Sequence, residues 1–151
     1  MSTPAANGWI FRNDNGLVFG GDVRLLLRDN LPFVGITVVH QRRKIKFPSV
    51  LVDTGSGGTI LSADVLSKID IAPEPTDTLH TIFGVGGSEV VFTRKIDELK
   101  VGTFVIKQFE IEVGGMDYGF DIQGILGMDF LTTAGAKIDL EKLEITFTKP
   151  K

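Results

Sequence analysis

The sequence predicts a mainly β domain. Three observations carry this reading: apolar and β-branched runs of strand length recur along the chain, Gly, Asn, Asp and Pro punctuate them, and helix-like stretches are confined to two short pieces. The first expected strands cover residues 9–11 and 17–19, joined by the turn Asn13-Asp14-Asn15-Gly16. The next cover 23–28, 33–40 and 44–53, with Asp29-Asn30-Leu31-Pro32 as the turn after the first of them. Ser62 is expected to cap a short helix that ends at residue 69, with Asp64 at the positive end of its dipole. Ala72-Pro73-Glu74-Pro75-Thr76 reads as a stiff connector, because each proline disfavours helix in the residue before it. Strands over 78–83, 89–96, 98–101, 104–113 and 122–126 follow. A second short helix starts near Met128, takes in Phe130 and Leu131, and stops at Gly135. A last hairpin pairs 136–140 with 143–148.

Composition narrows the function classes. With 151 residues, 42% of them hydrophobic, the chain can bury one real core and has little room for a second. Residues 1–22 read as a partly β extension and 23–148 as the domain proper. A net charge of -3 argues against nucleic acid as a partner, since phosphate binding needs clustered Lys and Arg. The one basic run, Gln41-Arg42-Arg43-Lys44, lies between two strands and reads as a solvated hairpin tip. The absence of cysteine removes disulfides, thiol nucleophiles and thiolate metal sites. The two histidines, His40 and His80, have no second imidazole at ligand spacing, so no metal or other cofactor is expected, nor a Ser-His-Asp triad. The first eight residues have neither a basic nor an apolar signal region, and no later stretch is long enough to span a bilayer. The expectation is a soluble, cytoplasmic protein without a membrane partner.

Chemistry concentrates in Leu51-Val52-Asp53-Thr54-Gly55-Ser56-Gly57, where a carboxylate directly follows an apolar strand and precedes small and hydroxyl residues. By itself this is ordinary turn chemistry, because Asp, Thr, Ser and Gly all favour turns and Asp readily bonds its neighbouring backbone. Two further motifs change its weight. Phe83-Gly84-Val85-Gly86-Gly87 forms a glycine-rich hairpin tip, and Gly124-Ile125-Leu126-Gly127-Met128-Asp129-Phe130-Leu131 runs from a strand into a helix. The glycines do not suit a phosphate loop, since neither the Gly-x-Gly-x-x-Gly spacing nor a following Lys-Ser/Thr is present.

In this order the three motifs resemble those of the retropepsin-like aspartic proteases, the single-domain relatives of pepsin that include the retroviral proteases, over roughly residues 23–148. The resemblance implies a closed acid-protease barrel with one or two short helices and an aspartic endopeptidase activity without cofactor. Asp53 would be the catalytic residue. No other Asp is followed by Thr-Gly or Ser-Gly, so the second carboxylate would come from the Asp53 of a homodimer partner. Thr54 would brace the two loops across the symmetry axis, and the Gly55 N–H would hold the carboxylate. Ser56 would bond its outer oxygen, which favours the ionised form and sets a lower acidic pH range than in relatives with alanine there. Phe83, Gly84, Val85, Gly86 and Gly87 would form the flap that closes over a peptide or protein substrate. Ile125, Leu126 and Gly127 would form the cleft floor, with Gly127 allowing a close backbone crossing. Asp129 reads as a first-turn helix residue rather than a second acid.

The chain also departs from the retroviral pattern. About fifty residues precede Asp53, Gly57-Gly58 stands where those enzymes carry acidic residues, and Met128 stands where they carry Arg. The ion-pair network that locks their dimers is therefore missing, and a hairpin followed by Lys149-Pro150-Lys151 takes the place of an apolar terminal strand. A catalytically silent dimerisation or peptide-binding module of the same fold is the alternative reading.

Overall fold

The computed structural model describes residues 3–5, 8–13, 16–20, 23–84, 87–116 and 121–148. Near the N-terminus, β1 (Thr3–Ala5), β2 (Gly8–Asn13) and β3 (Gly16–Gly20) pair antiparallel in a sheet of their own. Next come β4 (Val23–Arg24) and β5 (Leu26–Arg28), which replace the single strand expected over 23–28. The break falls at Leu25, which is buried and gives its N–H to the Leu143 carbonyl, so the chain changes sheets there.

Two hairpins follow from two-residue turns. β5 joins β6 (Leu31–His40) through Asp29-Asn30, and β6 joins β7 (Arg43–Val52) through Gln41-Arg42. All four turn residues have positive φ, between 49° and 68°, the twist that lets a two-residue turn match its strands. The basic run is thus an exposed tip, tethered by an Arg43–Asp70 ion pair at 2.5 Å and by the Gln41 N–H on Asp97 Oδ2 at 2.8 Å. After β7 come β8 (Ile60–Ser62), α1 (Ala63–Leu66) and a 3-10 turn over Ser67–Ile69. Ser62 caps α1 by accepting the Val65 N–H, and Asp64 lies in the first turn.

β9 (His80–Gly84) pairs with β10 (Gly87–Val101), which in turn pairs with β11 (Phe104–Gly114). β10 runs unbroken through the expected gap at Asp97, because its Glu98–Lys100 stretch gains a second neighbour in β6. β12 (Gly124–Leu126), α2 (Met128–Ala134), β13 (Ala136–Asp139) and β14 (Glu144–Phe147) complete the order, with β13, β14 and β4 forming a small sheet. Gly135 ends α2 in the left-handed region at φ 60°.

The large sheet runs β5-β6-β7-β12-β8-β11-β10-β9, and the β6–β10 pairing links β6, β7, β12, β8, β11 and β10 into a ring. Alternation then sorts side chains by face: Val34, Val50, Val52, Leu61 and Leu126 join the main core, while their neighbours Phe33, Leu51, Ile60 and Ile125 join a second apolar cluster with Val91, Met116 and Ile122. Phe130 anchors α2 in the main core, its ring edge-on to Phe104, Phe109 and Phe147 at centroid distances of 6.1, 5.7 and 5.9 Å. Among the described residues, no helix is long and apolar enough to cross a membrane.

Candidate active site

The Asp53 loop begins where two parallel strands end together. β7 and β12 pair as Leu51 with Ile125 and Val52 with Leu126, and the Asp53 N–H continues the ladder onto the Leu126 carbonyl at 3.0 Å. This fixes the half-buried Asp53 backbone at the head of the loop. Its carboxylate is fixed by its own loop, for Gly55 N–H donates to Oδ1 at 2.8 Å. A Cβ on Gly55 would lie 3.1 Å from that oxygen, so glycine leaves the approach open. The Ser56 N–H closes the turn on the Asp53 carbonyl at 3.2 Å, and Thr54 is exposed.

Ser56 corrects one expectation. Its hydroxyl donates to the Gly58 carbonyl at 2.7 Å rather than to the carboxylate of Asp53. A serine hydroxyl has one proton to give. The loop curls back far enough for that carbonyl to receive it, which removes the bond behind the expected lower acidic range.

Beneath the loop the chain crosses itself at Gly127. A Cβ there would stand 2.2 Å from the Gly58 carbonyl oxygen and 2.9 Å from that of Ser56, closer than any side chain tolerates. From this crossing α2 starts, and its first N–H groups are used on the loop: Met128 N–H donates to the Ser56 carbonyl at 2.8 Å and Asp129 N–H to that of Gly57 at 3.2 Å. Helix N-termini leave such donors without partners inside the helix. Here the loop carbonyls satisfy them, which ties Asp53's loop to the helix anchored by Phe130.

Two residues that sequence reasoning passed over complete the joint. Thr59, 1% exposed, accepts the Gly127 N–H on Oγ1 at 3.1 Å and donates the same hydroxyl to Asp129 Oδ1 at 2.7 Å, while its N–H reaches Asp129 Oδ2 at 3.1 Å. Asp129 is thus a clamp across the crossing, beyond the first-turn role read from sequence. A threonine placed just before a buried apolar pair, after Gly57-Gly58, was the available signal, because a buried hydroxyl requires a partner.

The glycine-rich hairpin closes β9 on β10. Phe83 pairs with Ser88 and Gly84 with Gly87, whose φ of 129° suits glycine; Phe83 is 84% exposed. Val85 and Gly86 lie outside the described residues. The base of the hairpin is held by Glu89, a further residue unassigned from sequence, whose Oε1 accepts the Met116 N–H at 2.7 Å. Ile125 and Leu126 sit on opposite faces of β12, so only Ile125 faces the second apolar cluster together with Leu51 and Ile82. Among the described residues no group of three or more acidic or histidine side chains is placed to hold a metal ion.

The family model for aspartyl protease matches residues 42–130, which takes in the Asp53 loop, the glycine-rich hairpin and the Gly127 crossing. The chain belongs to the aspartyl protease family. A retropepsin-like aspartic protease from Rickettsia conorii shares the fold, with a TM-score of 0.60 and 23% sequence identity over 84% of this chain and 90% of that one. The retropepsin-like fold expected from the motifs is therefore found. No curated protein sequence matches this aspartyl protease chain.

Proposed function

We propose that this chain is an aspartic endopeptidase, active as a homodimer, with residues 23–148 as the catalytic domain and 1–22 as an extension. One observation supports the reading above the others: the Asp53 carboxylate is oriented by Gly55 N–H on a loop that α2 and Thr59 hold from below. Such bracing is what an acid–base group needs in order to act in one geometry.

An amide is attacked by water when one group removes the water's proton while another donates to the carbonyl oxygen. Two Asp53 carboxylates on a two-fold axis supply both, since like charges about 3 Å apart cannot both ionise and the pair keeps one proton. The ionised member takes the proton of the water, and the protonated member gives its own to the carbonyl oxygen. The resulting gem-diol collapses as the same pair delivers a proton to the leaving nitrogen. The two titrations belong to the pair, so neither is assigned to one chain. Across the axis the exposed Thr54 of each chain would brace the other loop.

The substrate would be a peptide in extended form, added as a strand between the floor and the flap formed by residues 83–87, with its side chains alternating into pockets. Leu51, Ile125 and Ile82 supply apolar walls on one face. Flap closure would exclude water and offer backbone N–H groups.

Incubation of the wild type and Asp53→Asn with a diverse peptide mixture from about pH 4 to 7, read by mass spectrometry, tests the proposal. Asparagine preserves shape but cannot share the proton. Cleavage by the wild type that disappears in the variant is expected. Equal cleavage by both would expose a contaminant, and silence from both in a dimeric sample would support the binding-module reading.

A further inference from the structure

Two carboxyl residues meet at the joint beneath the Asp53 loop, and only one of them has an obvious task. Asp129 accepts the N–H and hydroxyl of Thr59 and also the N–H of Phe130 at 2.7 Å, so its carboxyl oxygens are already taken up by the joint. Glu112, on β11, reaches the same joint from the opposite strand. Its N–H donates to the Thr59 carbonyl at 2.9 Å, and its carboxyl covers Gly58 so closely that a Cβ there would lie 3.1 Å from Oε1. Gly58 is also the residue whose carbonyl takes the Ser56 proton and crowds Gly127.

The surroundings of Glu112 make its charge costly. Burial, the largest effect, raises its pKa above the ordinary glutamate value; His80 on β9 lowers it, and Asp129 on α2 and Glu110 on β11 raise it. Across the ladder it faces Thr93 on β10 and Ile60 on β8, neither of which carries a compensating charge, and Lys95 on β10 stands opposite Glu110 instead.

We propose that Glu112 is a positioning residue whose charge state sets how firmly the Thr59–Asp129 joint holds the Asp53 loop, firm when its side chain is neutral and loosened when it is ionised beside Gly58 and Asp129. Ionisation costs more in the folded chain than in the unfolded one. Stability is therefore full below the ordinary glutamate range, declines as pH rises through the raised folded value, and stays lowered above it. The consequence for catalysis, a site braced in acid and relaxed toward neutrality, rests on the aspartic-protease reading. The loosening of the joint does not.

Glu112→Gln imitates the neutral side chain at every pH and tests the proposal directly. Amide hydrogen exchange at Thr59 and Gly127, together with the thermal midpoint, is measured for wild type and variant at about pH 4 and about pH 7.5. The two proteins should agree at the lower pH. At the higher one the variant should show severalfold greater protection at both amides and a raised midpoint, with both gains reduced in an Asp129→Asn background. A variant that is less stable at the higher pH, or indistinguishable from wild type at both, would overturn the proposal. If the protease reading holds, the variant also extends peptide cleavage toward neutral pH; if neither protein cleaves, that reading fails while the exchange data still decide the role of Glu112.

Discussion

Gly127 is the residue on which the candidate site most depends, because the carbonyls of Ser56 and Gly58 lie where its side chain would be. Gly127→Ala would put a Cβ 2.2 Å from the Gly58 carbonyl oxygen, which neither the loop nor α2 can yield without giving up the hydrogen bonds between them. We expect a loss of about 3 kcal/mol or more in urea unfolding, at the upper end of single-residue effects; an unchanged midpoint would contradict the tight crossing. The need for a small residue here was legible, since a glycine between an apolar strand and a helix marks a close approach. The roles of Thr59 and Asp129 were not, because a hydroxyl and a carboxylate 70 residues apart find each other only once β12 has been laid between β7 and β8. For the same reason the acceptor of the Ser56 hydroxyl is not legible: the direction in which a loop curls is set by what passes beneath it.

At the scale of elements, α2 transmits the order of the core to the loop. Its single Phe130 touches three other aromatic rings, and its first N–H groups end on the loop carbonyls. Phe130→Ala should therefore cost about 3–5 kcal/mol by thermal or denaturant unfolding. The same change should increase amide exchange at Met128 and Asp129, whereas a loss of stability with those amides unaffected would separate the core from the site. Most strands were readable from alternation and turn residues, and the hairpins at Asp29-Asn30 and Gln41-Arg42 fall where the sequence punctuates them. β8 was missed because three residues give no period, and it exists only through its neighbours β11 and β12. A break is expected at Asp97, yet pairing with β6 and the bond from Gln41 N–H carry β10 straight through. Leu25 shows the converse, a residue inside an apolar run where the chain leaves one sheet for another.

For the whole molecule the decisive fact is a count: the chain carries one Asp-Thr-Gly sequence, and one carboxylate cannot both take and give a proton in the same step. The fold closes β6, β7, β12, β8, β11 and β10 on one another and sets Asp53 at the end of the ladder, so the proposed dyad needs a second copy of the chain. The proposed activity therefore stands or falls with the pairing of Asp53 across a two-fold axis. A mixing experiment tests that pairing: wild type is kept at a fixed concentration, in a range where sedimentation shows dimers, and peptide cleavage is followed as Asp53→Asn is added and subunits exchange. Mixed dimers hold a single Asp53, so cleavage should fall to roughly half when the two chains are equal and continue toward zero with excess variant. A rate that stays constant throughout, with exchange verified by mass, would contradict the shared dyad and place the whole activity within one chain.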